Sequence, residues 1–255
     1  MNFNKIVALI TGGASGLGKA TVELILEKGG KVITVDTFKT NSSFSSEESD
    51  KNNILINTDV TKEEDVYKCF ELAYQKFDEV NLVVNCAGIG IAEKIIGKEK
   101  LHSTAIFKKV IDVNLFGTFN IIKAASGKMQ HNSTDENGHR GVIINTASIA
   151  AFDGQIGQSA YSASKGAIVS MTLPISRELA RYGIRVCTIA PGLFETPMLK
   201  GLPEKAYKNL IETTLLPRRL GKPKEYAKLV QSIYENDMLN GETIRLDGSI
   251  RLAPK

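Results

Sequence analysis

The stretch ITGGASGLGKA, residues 10–20, decides the fold because it connects an apolar run to a helical pattern through a glycine-rich turn. Glycines are needed where such a turn is tight and where the backbone must approach a diphosphate closely. The helix that follows would direct its free N–H groups and the positive end of its dipole at the phosphates. No Gly-Lys-Ser/Thr follows the turn, which excludes a P-loop. We therefore predict that a dinucleotide binds at Gly12, Ser15, Gly16, Leu17 and Gly18.

On both sides of this turn, short β-rich apolar runs alternate with helical patterns along the 255 residues. The runs predict strands at 5–11, 31–36, 53–57, 80–85, 141–146, 184–190 and 242–246. The helical patterns cover 18–28, 63–77, 103–129, 159–181 and 225–234. This alternation indicates right-handed βαβ crossovers and a parallel sheet. We predict an α/β fold: a single Rossmann-type doubly wound sheet of about seven strands, with helices on both faces, forming one domain over residues 1–255.

The composition is that of a globular protein, with 42% hydrophobic and 24% charged residues. The net charge of +4 fits anionic small molecules and nucleic acid equally well. No apolar run approaches membrane-spanning length. The three cysteines have no metal-ligand spacing, so we expect free thiols and no metal site. The polar stretch 37–53 is expected to be a solvated loop with one short helical turn.

Asp36 ends the second predicted strand, where a carboxylate can accept hydrogen bonds from both hydroxyls of the adenosine ribose. A carboxylate at this position would also repel the 2′-phosphate of NADP. Lys39, three residues further on, could meet such a phosphate, but a strand-end carboxylate should outweigh a lysine in a loop. We therefore predict NAD as the cofactor.

Residues that follow three other strands are expected to complete the cofactor site, because ligands of open α/β sheets bind at the carboxyl ends of the strands. Asp59 and Val60 should contact the adenine, and small residues at 86–88 should allow the ribose to pack on the backbone. The segment from Pro191 should cover the nicotinamide, and a lid over the substrate is expected near 193–215, including 199–202. The predicted contacts in these segments are Asp59, Val60, Cys86, Ala87, Gly88, Pro191, Phe194 and Thr196.

Tyr161 and Lys165 are four residues apart on a predicted helix, so they share one face of it. A nearby ammonium and a positively charged nicotinamide would favour the phenolate. Lowering the pKa of a tyrosine by roughly three units takes about 4 kcal/mol. With Ser148 at the end of the fifth strand, this pair predicts an acid/base tyrosine, its tuning lysine and a serine that holds the substrate oxygen.

In this mechanism Tyr161 takes the hydroxyl proton of an alcohol while hydride leaves for the nicotinamide, and Lys165 also holds the nicotinamide ribose. Asn114 lies within a helical pattern, where an asparagine is unfavourable unless its side chain has a role. We assign it to a water-mediated proton relay behind Lys165. The alternative is that Asn114 bends the helix through a backbone contact. A serine nucleophile is disfavoured, because no G-x-S-x-G surrounds Ser148.

Taken together, these residues resemble the short-chain dehydrogenase/reductase family. The resemblance is carried by TGGASGLG (11–18), Asp36, Asp59-Val60, NCAG (85–88), Asn114, Ser148, YSASK (161–165) and the PG-x-x-x-T pattern (191–196). Longer stretches at 142–175, 183–198 and 239–251 are similar to the family members that act on acyl-CoA and steroids.

This resemblance implies NAD-dependent oxidation of 3-hydroxyacyl-CoA, including 2-methyl-3-hydroxybutyryl-CoA, and of hydroxysteroids. It also implies a homotetramer in mitochondria, although the short segment before the first strand shows no presequence and leaves the cytoplasm as the alternative. Two alternative functions are a scaffold that binds a tRNA methyltransferase in a tRNA-processing complex and an NADP-dependent carbonyl reductase. For an acyl-CoA substrate, Lys94, Lys98 and Lys100 could meet the CoA phosphates, or they could simply form a solvated charged loop.

Overall fold

The central strands are buried on both sides, which explains why the chain folds into a sheet covered by helices on two faces. The computed structural model describes residues 3–38, 45–197 and 214–254. In β1 (Val7–Thr11) every residue is buried. Because successive side chains of a strand point to opposite faces, Leu9 joins one hydrophobic cluster whereas Ala8 and Ile10 join the other.

The predicted strands all occur, and their bounds differ from the predicted ones by no more than two residues. The strands of the described residues are β1, β2 (Lys31–Asp36), β3 (Ser45–Asp50), β4 (Asn53–Asn57), β5 (Leu82–Asn85), β6 (Gly141–Thr146), β7 (Ile184–Pro191) and β8 (Thr243–Leu246). Only β3 was not predicted. The sheet order is β3-β4-β2-β1-β5-β6-β7-β8. All neighbouring pairs are parallel except β3 and β4.

The helices lie on both faces, as predicted for a doubly wound sheet. Those described are α1 (Gly16–Glu27), α2 (Glu63–Phe77), α3 (Thr104–Ile111), α4 (Gly117–Met129), α5 (Ser159–Ala180) and α6 (Pro223–Glu235). Helices α2, α4 and α5 contribute to one cluster, and α1 and α6 contribute to the other. Among the described residues, no helix is both long enough and apolar enough to cross a membrane.

The topology places a crevice beside β1. The chain moves outward from β1 through β2 to β4 and then returns to form β5 on the other side of β1. The loops that leave the carboxyl ends of β1 and β5 therefore run in opposite directions, which opens the sheet edge at this point. Ligands of open α/β sheets bind in this crevice.

The prediction for the polar stretch 37–53 was wrong in part, because Ser45–Asp50 form the edge strand β3 rather than part of a solvated loop. This strand runs antiparallel to β4, and its register shifts between Glu48 and Asp50. An edge strand pairs on one side alone and needs no apolar face. Lys39 and the segment 198–213, which contains most of the predicted lid, lie outside the described residues.

The helix predicted at 103–129 is continuous but irregular. A π-helical turn at Asp112–Phe116 separates α3 from α4. Single π turns within α-helices are rare and occur frequently at functional sites. This turn contains Asn114.

The buried Arg185 in β7 attaches the end of α6 to the sheet. Its guanidinium donates to the carbonyl oxygens of Ile233 (2.9 Å), Tyr234 (2.7 Å) and Leu239 (2.7 Å). The carbonyl groups of a last helical turn have no partner within the helix, so Arg185 supplies the missing donors for α6. Burial lowers the pKa of Arg185 from its usual value.

Candidate functional site

The glycine-rich turn is packed so closely that two of its positions exclude a side chain. Gly12 has a φ of +65°, and a Cβ there would come within 2.8 Å of the peptide between Cys86 and Ala87. A Cβ at Gly18 would overlap the carbonyl oxygen of Gly12. The start of α1, the turn and the end of β5 therefore meet backbone against backbone.

This packing fits a dinucleotide. Helix α1 begins at Gly16, and Ser15 occupies its N-cap position without using its side chain as a cap. The first N–H groups of a helix have no partner within it, and they suit a diphosphate. Leu17 packs against the hydrophobic cluster and holds α1 on the sheet. The five residues predicted from the turn thus lie together.

Asp36 is held against the same turn. One carboxylate oxygen accepts a hydrogen bond from the Ala14 amide (3.0 Å), and the other accepts from the Thr37 amide (2.8 Å). A carboxylate has about four acceptor positions, so both oxygens can still accept bonds from ribose hydroxyls. Its location at the carboxyl end of β2 agrees with the predicted role.

Asp59 and Val60 follow β4 at the same edge. Asp59 Oδ1 accepts from the Thr61 amide (3.0 Å) and hydroxyl (2.8 Å), which fixes the carboxylate. The Val60 carbonyl accepts from Asn120 Nδ2 at 3.0 Å. A Cβ at Gly117 would contact the Val60 side chain at 2.5 Å, so α4 lies directly against this segment.

The residues after β5 form the floor of the crevice. The Thr11 hydroxyl accepts hydrogen bonds from the amides of Cys86 (3.2 Å) and Ala87 (3.1 Å). A Cβ at Gly88 would lie 3.2 Å from Asn114 Oδ1 and 3.6 Å from Lys165 Nζ. Gly88 therefore adjoins both the cofactor segment and the predicted catalytic residues.

The segment after β7 closes the other side. Pro191 ends the strand, and the buried Phe194 packs with its ring against Gly221. Thr196 Cγ2 lies 3.4 Å from the position of a Cβ on Gly16. The segment thus reaches across to the glycine-rich turn, as expected for a cover over the dinucleotide.

Ser148, Tyr161 and Lys165 lie together at the carboxyl end of β6. The Ser148 hydroxyl accepts from the Ala150 amide (3.1 Å), and it lies close enough to the Tyr161 phenol to lower the pKa of that group. Lys165 Nζ lies 5.8 Å from the centroid of the Tyr161 ring, which confirms that the two side chains share a helix face. Nζ also donates to the Thr146 carbonyl at 2.7 Å.

Asn114 is fully buried in the π turn. Its side chain accepts from the Ile89 amide (2.8 Å) and donates to the Ile89 carbonyl (3.0 Å) and to Ser164 Oγ (3.1 Å). Asn114 lies in an irregular part of the helix, and its Oδ1 lies near Gly88 as Lys165 Nζ does, so the proton relay and the helix bend both stay predictions. Its contacts hold the segment after Gly88 against α5.

The protein's own groups do not lower the pKa of Tyr161 below its usual value. Burial raises the pKa of Tyr161, and its hydrogen bond with Ser148 opposes this rise only in part. Burial also lowers the pKa of Lys165 to about 8, because an ammonium is costly away from water. The Lys165 ammonium is itself desolvated and donates to the Thr146 carbonyl, so the lowering expected from this lysine and a nicotinamide together stays a prediction.

Sequence reasoning missed Thr146 and Tyr226. Thr146 provides the carbonyl acceptor for Lys165, and its hydroxyl shares a 2.8 Å hydrogen bond with the hydroxyl of the fully buried Tyr226. A backbone acceptor has no sequence signature. Tyr226 reaches this point from α6, on the opposite face of the sheet, and only its place in an apolar helical face could have drawn attention to it.

A Gly18→Ala variant should lose dinucleotide binding, because the new methyl group would overlap the Gly12 carbonyl and push α1 away from the turn. We expect at least a tenfold weaker affinity and a loss of stability of about 1–3 kcal/mol. Gly127→Ala in α4 is the control, since nothing lies within 4 Å of its Cβ. It should raise stability by about 0.5–1 kcal/mol. Dinucleotide titration and urea unfolding measure both effects, and equal binding by the two variants would refute the close-approach argument.

The buried ammonium of Lys165 should make stability depend on pH. With its pKa lowered to about 8, the folded protein binds fewer protons than the unfolded chain above this pH. Stability should therefore rise with pH above 8, by at most about 1.4 kcal/mol per unit, until the unfolded lysine also titrates near its ordinary pKa of about 10.4. Unfolding of wild type and Lys165→Met between pH 7 and 10 should show a difference that grows in favour of wild type. The exposed Lys19→Met variant is the control for removing a lysine, and a flat curve for Lys165→Met would count against the shift.

Comparisons with known proteins agree with this geometry. The short chain dehydrogenase family model matches residues 6–206. The human 3-hydroxyacyl-CoA dehydrogenase type-2 is 53% identical over 251 residues, which cover 98% of this chain and 96% of the relative. The Drosophila melanogaster protein of the same name is 51% identical over 250 residues, covering 97% and 98%.

A solved structure leads to the same result. The crystal structure of 3-hydroxyacyl-CoA dehydrogenase type-2 from Mycobacterium avium superposes with a TM-score of 0.90 at 34% identity, over 99% of this chain and 98% of the other. The similarity spans the sheet and both helical layers. The chain belongs to the short-chain dehydrogenase family and is an oxidoreductase whose fold binds a nicotinamide dinucleotide.

Proposed function

We propose that this enzyme interconverts 3-hydroxyacyl-CoA and 3-oxoacyl-CoA, including the 2-methyl-3-hydroxybutyryl derivative, and also oxidises hydroxysteroids, with NAD as its cofactor. The observation that carries the proposal is the group formed by Ser148, Tyr161 and Lys165 beside the dinucleotide crevice. The names of the most similar relatives support the acyl-CoA substrate.

The bound nicotinamide supplies the hydride acceptor or donor. Tyr161 takes the proton of the substrate hydroxyl during oxidation and returns a proton to the carbonyl oxygen during reduction. Ser148 orients the same oxygen, since its hydroxyl lies beside the phenol and lowers the pKa of that group. Burial keeps the phenol protonated, which suits proton donation in the direction of reduction.

Lys165 fixes the position of positive charge behind the tyrosine. Its bond to the Thr146 carbonyl holds the ammonium near the Tyr161 ring. Asn114 Oδ1 and Lys165 Nζ both face Gly88, which supports a water-mediated proton path between this side of the lysine and the crevice.

The 3-hydroxyacyl-CoA substrate carries phosphates that cations at the mouth of the crevice could meet. Of the three lysines predicted for this purpose, Lys100 pairs with Glu93 at 2.9 Å. The same Glu93 accepts from the Ser103 amide at 2.9 Å, so the Lys100–Glu93 ion pair helps to hold the two ends of the loop 93–103 together. We assign the phosphates to the exposed Lys94 and Lys98 instead.

We propose a homotetramer as the assembly. Phe107, Phe116 and Phe119 expose between 37% and 54% of their surface along the 104–129 helix, and a second copy would cover such an apolar patch. Location in mitochondria and a tRNA methyltransferase partner are proposed from the resemblance alone.

Tyr161→Phe should reduce kcat for acetoacetyl-CoA reduction by about 100-fold to 10,000-fold, because the acid is lost while the ring remains. NADH oxidation followed at 340 nm measures it. Tyr67→Phe on α2 is the control, since that exposed tyrosine lies outside the site. Partner binding should survive in Tyr161→Phe if the scaffold role exists. A fully active Tyr161→Phe variant would contradict the mechanism.

NADH should be preferred over NADPH by about 100-fold in kcat/KM for acetoacetyl-CoA reduction, because the Asp36 carboxylate would lie against the 2′-phosphate. Asp36→Ala should reduce this preference by at least tenfold. Asp59→Asn serves as the control, since a change near the adenine should weaken both cofactors alike. Equal turnover with the two cofactors in wild type would instead favour the carbonyl reductase alternative.

A further inference from the structure

The loop 152–158 joins the two residues proposed to contact the substrate oxygen, Ser148 and Tyr161, and it depends on a distant segment of the chain for its hydrogen bonds. The Ile156 amide donates to the Pro254 carbonyl at 3.0 Å. Gln155 Nε2 donates to the Ala253 carbonyl at 2.9 Å. Residues 245–254, which we call the clasp segment, thus lie along this loop.

Arg245 of β8 is the centre of these contacts. Its guanidinium donates to Asp153 (2.5 Å) in the loop and to Asp247 (2.7 Å) and the Ile250 carbonyl (3.1 Å) in the clasp segment. It also lies over the Phe152 ring, 5.1 Å from the centroid. The side chains of Arg245 and Asp153 are only 21% and 19% exposed. A largely buried, multiply bonded arginine of this kind holds its partners far more firmly than an exposed ion pair does.

The clasp segment is itself fixed to the sheet beside the cofactor site. The Gly192 amide donates to the Leu246 carbonyl at 2.9 Å, and a Cβ at Gly192 would lie 2.8 Å from Asp247 Cα. Gly192 directly follows Pro191, one of the predicted cofactor contacts. The carboxyl edge of the sheet therefore holds the clasp segment, which in turn holds the loop.

The loop has little support of its own between its two ends. Within the loop, the Gln155 amide donates to Gln158 Oε1 and the Gln158 amide donates to the Gln155 carbonyl, each at 3.0 Å. On the opposite side, the Glu93 amide donates to the Gly157 carbonyl at 2.9 Å. Without Arg245, the Asp153 carboxylate would lose its partner, and the segment that carries the Pro254 acceptor of the Ile156 amide would lose a direct bond to the loop.

We propose that Arg245 is a positioning residue, which together with Asp153 fixes the loop 152–158 so that the Ser148 and Tyr161 hydroxyls converge on one substrate oxygen. The proposal rests on the proposed function of that pair. Displacing a reacting group by about 1 Å can cost a factor of about 100 in rate, so a loosened loop should reduce turnover more than binding.

Arg245→Met should lower kcat for acetoacetyl-CoA by about 10-fold to 100-fold. The dissociation constant for NADH should change less than about twofold, because the cofactor contacts lie on other elements. Hydrogen exchange of the Ile156 amide should become faster. Asp153→Asn should give the same effects, more weakly, since its amide oxygen can still accept a bond from Arg245. The double variant should be no worse than Arg245→Met, because both changes remove one coupled interaction.

Arg251→Met is the matched control. Arg251 belongs to the same segment and bonds to Asp247 (3.3 Å) and the Ile250 carbonyl (2.7 Å), but within the described part of the chain it makes no hydrogen bond to the loop. It should keep wild-type kcat and wild-type exchange. Should Arg245→Met fail to fold, Arg245→Lys and Asp153→Asn answer the same question, since each keeps part of the contact.

An unchanged kcat in folded Arg245→Met would overturn the proposal, as would an equal loss in Arg251→Met or a loss of kcat without faster exchange at Ile156. Failure of the proposed function would look different. Wild type would then lack turnover of acetoacetyl-CoA, whereas the exchange of the Ile156 amide would still respond to Arg245→Met.

Discussion

The contact of backbone with backbone between the glycine-rich turn and the end of β5 is the constraint on which the other parts of the site depend. Gly12 must adopt a positive φ and must lack a side chain for the Cys86–Ala87 peptide to fit. That fit brings Gly88 beside Asn114 and Lys165. The short segment from Cys86 to Gly88 therefore connects the dinucleotide end of the crevice with the end that holds the catalytic residues, so a shift of one end would move the other.

The reactive end is expensive in free energy. A lysine that is only 5% exposed, with its pKa lowered to about 8, destabilises the fold at neutral pH. A buried phenol whose pKa is raised adds no compensation. Such costs are typical of active sites, where groups are held in environments that the fold alone would not favour. The extensive apolar clusters on both faces of the sheet contribute the free energy of folding that offsets these costs.

Strong local signals made the fold and most of the site predictable. Strands buried on both faces are continuous apolar runs, and glycine positions report backbone constraints directly. The edge strand Ser45–Asp50 was missed because an edge needs no apolar pattern. Thr146 acts through its carbonyl and Arg245 acts through a contact 92 residues away in sequence, so no local pattern marks either. The desolvation of Tyr161, which raises the pKa of the phenol, could not be predicted either, because burial is known only from the structure.

The π turn at Asp112–Phe116 has a consequence for how this helix can change in length. A π turn holds about one residue more than an α-helical turn, and each residue of an α-helix advances the side chains by about 100°. Because that extra residue is taken up within the turn, deleting one residue here would restore an ordinary helix without rotating α3 relative to α4. The π turn thus accommodates the extra residue while two helical faces stay in place: that of α4 packs on the sheet, and that of α3 contacts α5.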